Sequence, residues 1–422
     1  MGFQHGLSGL NAASTNLDVI GNNIANANTA GFKQSHAQFT DILANSMGGS
    51  GSSQVGIGSK VSTIAQSFSQ GGISPTNNPL DIAINGQGFF RMSEGGVISY
   101  TRDGQFKVDE SGFLTNAKGT NLTGYIADAN GVIDTSNQVN LKLTTADLPP
   151  KVTSAFDWGF TLDSRKAAIP ASTTFSVANG DSYTNTQSGT IIDSLGNSHV
   201  LAIYFRKSDA AANTWNAYTT VDGKIDGTGL PVGVTLDGGA STTLAFDGQG
   251  ALTPSTKSVA VSVDLAAIDS TLGATSPLNF TLDLSKTKQY GSDFAVTAIS
   301  QDGYPSSRLA GFTTAADGVI QGSYSNGETR ALGQIVLANF VNPQGLNPIG
   351  DGRWVETSSS GQPLVGPPGT GTLGVLQSSA IEDANVDLTS ELVKMITAQR
   401  MYQANAKSIE TQDAVLQTLV NL

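Results

Sequence analysis

The sequence predicts a multidomain α+β protein in which terminal helices pair as a coiled coil and nested, mainly antiparallel β domains lie between them. Three observations carry this reading: proline is confined to the interior, apolar residues follow heptad spacing at both ends, and turn dipeptides recur through the middle. All 14 prolines fall between Pro75 and Pro368, so both ends are free to be helical. At 422 residues the chain is long enough for roughly two to four domains.

In residues 3–27 apolar side chains recur at Phe3, Leu7, Leu10, Leu17 and Ile24, and Ala13, Ile20 and Ala27 widen the stripe. At the other end Leu388, Leu392, Met395, Gln399, Tyr402, Ala406, Ile409, Asp413, Leu416 and Val420 keep heptad spacing, and only Gln399 and Asp413 interrupt its apolar character. Asp387 stands at the N-cap position, and Glu391 with Lys394 makes an i,i+3 pair in the favourable order. Such a helix is on the order of 50 Å long, and one apolar stripe does not hold it in isolation. The comparable stripe lies at the opposite terminus, so the two ends are expected to pair.

The N-terminal helix is unusual in its charge. Asp18 is the one formally charged residue among residues 1–32. The face away from the stripe carries Asn11, Ser14, Asn22, Asn23 and Asn26, which is expected to meet protein rather than open water. After it, residues 46–60 are rich in glycine and serine, and Gly48, Gly49, Gly51, Gly56 and Gly58 read as a flexible linker. Gly51 and Gly56 have phosphate-loop spacing, but Ile57 stands where the lysine is required.

Beyond Pro75 the turns Asn85-Gly86, Asp103-Gly104, Ser111-Gly112, Lys118-Gly119 and Asn130-Gly131 separate alternating apolar segments, the pattern of an antiparallel β region. Pro149-Pro150 opens a second β block with strands at residues 201–205 and 259–263. Turns at Asp302-Gly303, Asp317-Gly318 and Asn326-Gly327 return to the first character. The expected division is therefore 1–74 with 366–422 as helical core and linker, 75–148 with 291–365 as a first β domain, and 149–290 as an inserted outer β domain.

Composition narrows the chemistry. A net charge of −12 opposes nucleic-acid or anionic-membrane binding, and no stretch nears the ~20 apolar residues of a membrane span. With no cysteine, thiolate catalysis and cysteine metal sites are excluded. His5, His36 and His199 are far apart in sequence, and Gly-x-Ser-x-Gly is missing. Eight aspartates directly precede glycine, where a turn accounts for them; Asp128-Ala129-Asn130-Gly131 resembles a calcium loop only at its start, since no glutamate follows at its twelfth position. No enzyme activity, cofactor or metal is expected. The N-terminus lacks the basic and apolar regions of a cleaved leader, so any export is expected to use another route.

Two long motifs carry a resemblance. Ser8-Gly9-Leu10-Asn11-Ala12-Ala13 leads into Leu17-Asp18-Val19-Ile20-Gly21-Asn22-Asn23-Ile24-Ala25-Asn26-Ala27-Asn28-Thr29-Ala30-Gly31-Phe32-Lys33, and Asn385-Val386-Asp387-Leu388 is followed by Gln399-Arg400-Met401-Tyr402-Gln403-Ala404-Asn405. Both resemble the terminal signatures of the bacterial flagellar rod and hook axial proteins, with Asn22, Asn23, Ala25, Asn26, Thr29, Gly31, Phe32, Asn385, Val386, Asp387, Leu388, Gln399, Arg400 and Tyr402 as signature residues. Residues 79–90 are similar to both hook and rod members, whereas Tyr324-Ser325-Asn326-Gly327 and Asn339-Phe340-Val341-Asn342-Pro343-Gln344-Gly345-Leu346, together with the length, are more similar to the hook members than to the shorter rod members. One departure stands out: where a Gly-Leu-Glu run is expected, the chain has Ser379-Ala380-Ile381-Glu382-Asp383-Ala384.

The resemblance implies a structural subunit that polymerises into a curved, flexible tube and transmits torque from rod to filament. Its subunit-packing residues would be Leu7, Leu10, Leu17, Ile20 and Ile24 with Leu388, Leu392, Met395, Tyr402, Ile409, Leu416 and Val420. Implied partners are copies of itself, the distal rod protein, the hook cap protein, the hook-filament junction protein and the flagellar type III export apparatus. The implied location is extracellular, on the flagellum, reached without signal cleavage. A distal rod-type subunit and an extracellular β-rich adhesin are the alternatives; the adhesin would not need heptads at both termini.

Overall fold

The computed structural model describes residues 2–42, 58–128, 130–144 and 146–420. It opens with a helix over Gly2–Ala25 and closes with one over Leu388–Val420, as the two stripes predict. Asp387 caps the second: its Oδ1 accepts the backbone N–H groups of Thr389 at 2.9 Å and Ser390 at 3.1 Å, satisfying two donors that the first helical turn leaves open. Two compact units are present, one of Met1–Thr145, Ala310–Ser323 and Glu328–Leu422, the other of Ala146–Leu309 and Tyr324–Gly327.

The first unit holds both helices and a 13-stranded, mainly antiparallel sheet. Its central run is Thr329–Ile335, Asn121–Ile126, Phe89–Glu94, Val97–Thr101, Arg353–Val355 and Asn347–Gly350. Strands distant in sequence thus become neighbours, which closes the nested order. Two cores flank this sheet. Ile82, Ile84, Phe90, Met92, Leu114, Leu122, Ile335 and Leu337 fill one, and Phe89, Tyr100, Phe340 and Trp354 form a second, smaller aromatic one.

A hairpin of Ser35–Ile42 with Gly58–Gln66 follows the N-terminal helix, in a region expected to be helical core and linker. Gly58 is therefore the first residue of a strand packed beside Ser8 of the helix rather than a linker position. Gly48, Gly49, Gly51 and Gly56 lie outside the described residues, as does the side chain of Val420. The hairpin is tied to the sheet at its end: Trp354 Nε1 donates to Gln66 Oε1 at 2.7 Å, and Phe68 meets the Phe89 and Trp354 rings edge-on, each at 5.6 Å.

The second unit packs a six-stranded sheet and a four-stranded sheet around one core. Phe156, Trp158 and Phe160 on Ala155–Asp163 meet Leu201, Ile203 and Phe205 on Ser198–Lys207, the alternation of two facing sheets. Ala155–Asp163 pairs in parallel with Leu278–Asp283 and with Lys288–Tyr290, and antiparallel with Ala295–Gln301. This last strand places residues 295–301 in the second unit, where the expected insertion ended at residue 290. The hydrophobic pattern could not show it, because the strand is a mostly exposed edge.

One loop design recurs in both units. Asp109, Asn116, Asp128, Asp193, Asp226 and Asp247 each accept two backbone N–H groups on Oδ1, from residues i+2 and i+4, at 2.7–3.0 Å. Each has glycine at i+3 in the left-handed region, with φ between 79° and 88°. Turn chemistry is therefore set by Asp/Asn-x-x-Gly-x, a longer pattern than the Asp-Gly and Asn-Gly dipeptides suggest. Asp128 sits in this design as a hairpin cap. Asp193 is the most buried of the set, and His199 bridges it (3.4 Å) to Asp222 (2.7 Å). Asp193→Ala should lower the stability of the second unit by about 2–3 kcal/mol, by stranding buried donors, and Asp193→Asn by less, since it keeps the Oδ1 acceptor of the loop but loses the Oδ2 that accepts from Asn197 Nδ2 at 2.9 Å. Urea unfolding of the full chain followed by tryptophan fluorescence checks both; equal losses would show that the oxygen is not what matters.

Candidate functional site

The two terminal helices pack antiparallel, Gly6 opposite Ile409, Gly9 opposite Asn405 and Asn23 opposite Glu391. Small residues set the approach. A Cβ added to Gly6 would lie 2.8 Å from Ile409 Cγ1, and one on Gly9 2.8 Å from Asn405 Nδ2. Ala13 and Ala398 are buried along the same pair. The seam inside one chain thus runs through Glu391, Ala398 and Asn405, seven residues apart and each one position before the expected stripe, and meets that stripe at Ile409. Met395 and Ile409 are half-buried and Ile20 is buried, but Leu7, Leu388, Leu392, Tyr402 and Leu416 are exposed at 36–55%. Leu388 and Leu392 therefore do not belong to the intrachain contact, because the helix turns Glu391 inward instead. Leu10, Leu17 and Ile24 are partly exposed.

A polar lock fixes the register of this pair. Glu391 is buried and accepts from Asn23 Nδ2 at 3.1 Å, Gln34 Nε2 at 2.6 Å and Lys394 Nζ at 2.6 Å. Asn23 also exchanges two hydrogen bonds with the backbone of Ser35. Asn385 accepts the Gln34 N–H at 2.7 Å and donates to the Ser67 carbonyl at 2.8 Å. Asn23, Asn385 and Asp387 are thus signature residues with structural tasks in the single chain. By contrast Asn22, Ala25, Thr29, Gln399 and Arg400 are exposed, and Asn26, Phe32 and Val386 are half-buried.

Below the lock lies a buried ion cluster that the residue patterns do not single out. Glu382 is fully enclosed and meets Lys33 Nζ at 2.6 Å and Arg102 at 3.0 Å. Lys33 also donates to the Ser69 carbonyl at 2.7 Å, Arg102 to the Gly86 carbonyl at 2.8 Å, and Glu382 accepts the Gly71 N–H at 2.9 Å. Burial pushes both cations toward their neutral forms, and the Glu382 carboxylate opposes it. Gly31 explains its own place here: with φ at +69°, a Cβ would lie 2.5 Å from the Asp103 backbone nitrogen. One clue to the cluster was legible, since Glu382 occupies the glutamate position of the expected Gly-Leu-Glu run. Among the described residues no three His, Asp or Glu side chains converge as a metal site, and no helix is long and apolar enough to cross a membrane.

Removing one partner from such a cluster strands buried charge. Glu382→Ala should destabilise the first unit by about 3–5 kcal/mol, and Glu382→Gln by less; chemical unfolding followed by circular dichroism measures both, and a loss near zero would contradict the enclosed geometry. Glu391 gives a pH signature. Its burial alone would raise the carboxyl, but hydrogen bonds from Lys394, Asn23 and Gln34 hold it below the ordinary range. The lock therefore stabilises the helix pair above the ordinary carboxylate range and is lost as pH falls through the lowered value. Melts between about pH 6 and pH 3 should show the helical signal losing stability on the acid side, less steeply in Glu391→Gln. Identical acid profiles would sink this assignment.

Known proteins show the same arrangement. Residues 3–33 match the family described as flagella basal body rod protein, and residues 377–422 the flagellar basal body rod FlgEFG protein C-terminal family. Residues 83–155 match the flagellar hook protein FlgE/F/G D1 domain, and residues 161–304 the flagellar basal body protein FlaE D2 domain. The chain is 41% identical to the flagellar hook protein FlgE of Escherichia coli (strain K12), with 100% of both chains covered. It is 40% identical to that of Salmonella typhimurium over 100% of both, and 35% identical to that of Borreliella burgdorferi over 99% of this chain and 98% of the relative. The crystal structure of Helicobacter pylori flagellar hook protein FlgE2 shares the fold at a TM-score of 0.50 and 13% identity, covering 74% of this chain and 99% of that one. With both terminal signatures, both β domains and full-length relatives in agreement, the chain belongs to the flagellar hook protein FlgE family, a structural family of the flagellum.

Proposed function

We infer that this chain serves the hook as a self-assembling subunit whose terminal helices form the inner layer of a tube. The observation that carries the reading is the apolar surface that the helix pair leaves uncovered. Leu388, Leu392, Val393, Ile396, Met401, Val415 and Leu416 are 43–61% exposed on the C-terminal helix, and Phe3 and Leu7 are 49% and 45% exposed on the other. One chain cannot cover both sides of a helix pair. Neighbouring copies can, and each apolar side chain so covered contributes roughly 1–3 kcal/mol. Leu388, Leu392, Tyr402 and Leu416 then act between copies, while Glu391, Ala398 and Asn405 act within one.

The division into helical core, first β domain and inserted outer β domain supports a joint that resists twist and yields to bending. Helix contacts would give axial continuity, and β surfaces with few charges could re-register without breaking strong ion pairs. At the ends of the tube the neighbours would be the distal rod protein and the hook-filament junction protein, with the hook cap protein present during growth. Export would run through the flagellar type III apparatus.

Assembly and folding should separate cleanly in variants. Leu392→Glu is expected to abolish tubes in electron micrographs of concentrated protein while leaving the unfolding of the second unit unchanged. Circular dichroism should also show more helix per chain in tubes than in dilute monomer, because isolated helices with bare apolar faces fray. Tubes from the variant, or equal helicity in both states, would remove the helices from the inner layer.

A further inference from the structure

One surface of the N-terminal helix has no task in the single chain. On the side away from the C-terminal helix, three cavities adjoin pairwise, the first two through Gln66 and Pro348, the first and third through Ser35 and Ile64, and the second and third through Asn22, and so join into one groove. The helix, the Ser35–Ile42 hairpin and the loop before Trp354 form its walls. Apolar groups, among them Ile64, Phe68, Leu346 and Pro348, supply more of its lining than polar ones, and Ile64 is 50% exposed. Asp18 stands at one end, exposed and without an ion pair among the described residues. The cations nearest the groove are already engaged, Lys33 with Glu382 and Arg353 with Glu94.

The C-terminal helix presents a matching face. Glu391 and Ala398 point inward, so Val393, Ile396 and Arg400 lie about 200° around the helix, facing out. Val393 and Ile396 are 59% and 51% exposed. Arg400 is exposed beside them, and among the described residues it too makes no ion pair. A largely apolar groove with one unpaired carboxylate and an apolar ridge with one unpaired guanidinium are complementary in charge and in apolar character, and they belong to the same chain on faces that cannot meet within it.

We propose that the Val393–Ile396–Arg400 ridge of one copy docks in the groove of a second copy, with Arg400 pairing Asp18. This rests on the homopolymer reading above and specifies its contact. Val393 and Ile396 would fill the space beside Ile64 and Val19, and the pair would fix register and direction, since Asp18 stands at one end of the groove while Asp351, which also lines it, is paired with Lys118 and Arg353. Such a pair contributes more to specificity and register than to raw affinity, and like charges brought together there oppose docking.

A charge swap tests it. In the full chain, Asp18→Arg and Arg400→Asp should each raise the concentration needed for tubes by on the order of tenfold, and the double variant should recover most of that loss. Circular dichroism of each soluble variant checks that the fold is intact. The chain has no cysteine, so Asp18→Cys and Arg400→Cys chains can be mixed, assembled and treated with a short bismaleimide. The expected product is a dimer joining one chain of each kind. A double variant no better than the worse single, singles that assemble normally, or no mixed dimer from intact tubes would overturn the pairing while leaving the homopolymer reading in place. Absence of tubes from the unaltered chain would overturn that reading and the pairing with it.

Discussion

The first unit is organised around the enclosed carboxylate of Glu382. Its two cations come from Lys33, just past the N-terminal helix, and Arg102, in the first β region. Glu382 itself belongs to the strand Ala380–Glu382, which leads into the C-terminal helix. Three segments far apart in sequence therefore meet at one point. A buried ion cluster is not a strong source of net stability, since desolvation consumes much of the attraction. It is, however, intolerant of rearrangement, because displacing any member leaves a charge without a partner. That intolerance makes it suited to fixing where both helices leave the β domain.

Above the cluster, the helices follow a division of labour that physical chemistry makes readable. Small and polar residues lie between them: Gly6, Gly9, Ala13, Asn23, Glu391, Ala398 and Asn405. Of the larger apolar residues Ile20 and Ile409 turn inward, but Leu7, Leu388, Leu392, Val393, Ile396 and Leu416 face out. A self-sufficient domain places its leucines and isoleucines between its own helices and its charges outside. The reversal here leaves the single chain with an uncovered apolar face, which suits a subunit whose final neighbours are copies of itself. The low charge of the N-terminal helix fits the same requirement.

Much of the fold was legible in the residues. Proline exclusion and heptad spacing located both helices, and Asp387 announced the start of the second. The hairpin at Ser35–Ile42 and Gly58–Gln66 was not legible, since its exposed faces lack a clean alternation and its strands flank a glycine-rich stretch. Residues 295–301 were assigned to the wrong β block because an edge strand with mostly exposed side chains carries little pattern. The seam leaves the expected stripe at Glu391, Ala398 and Asn405, each one position before it, since leucine marks any apolar contact while alanine and glycine at a close crossing carry no hydrophobic signal.

The sequence by itself determined the element types, the nested order and the family, because these depend on local spacing and on motifs readable in one dimension. Tertiary structure alone decided which face of each helix turns inward, which strands close the long sheet, and that Lys33, Arg102 and Glu382 meet. Those outcomes depend on contacts between residues hundreds of positions apart. A heptad fixes only that a stripe must be covered; which surface covers it is decided by the competing stripes available once the chain has folded.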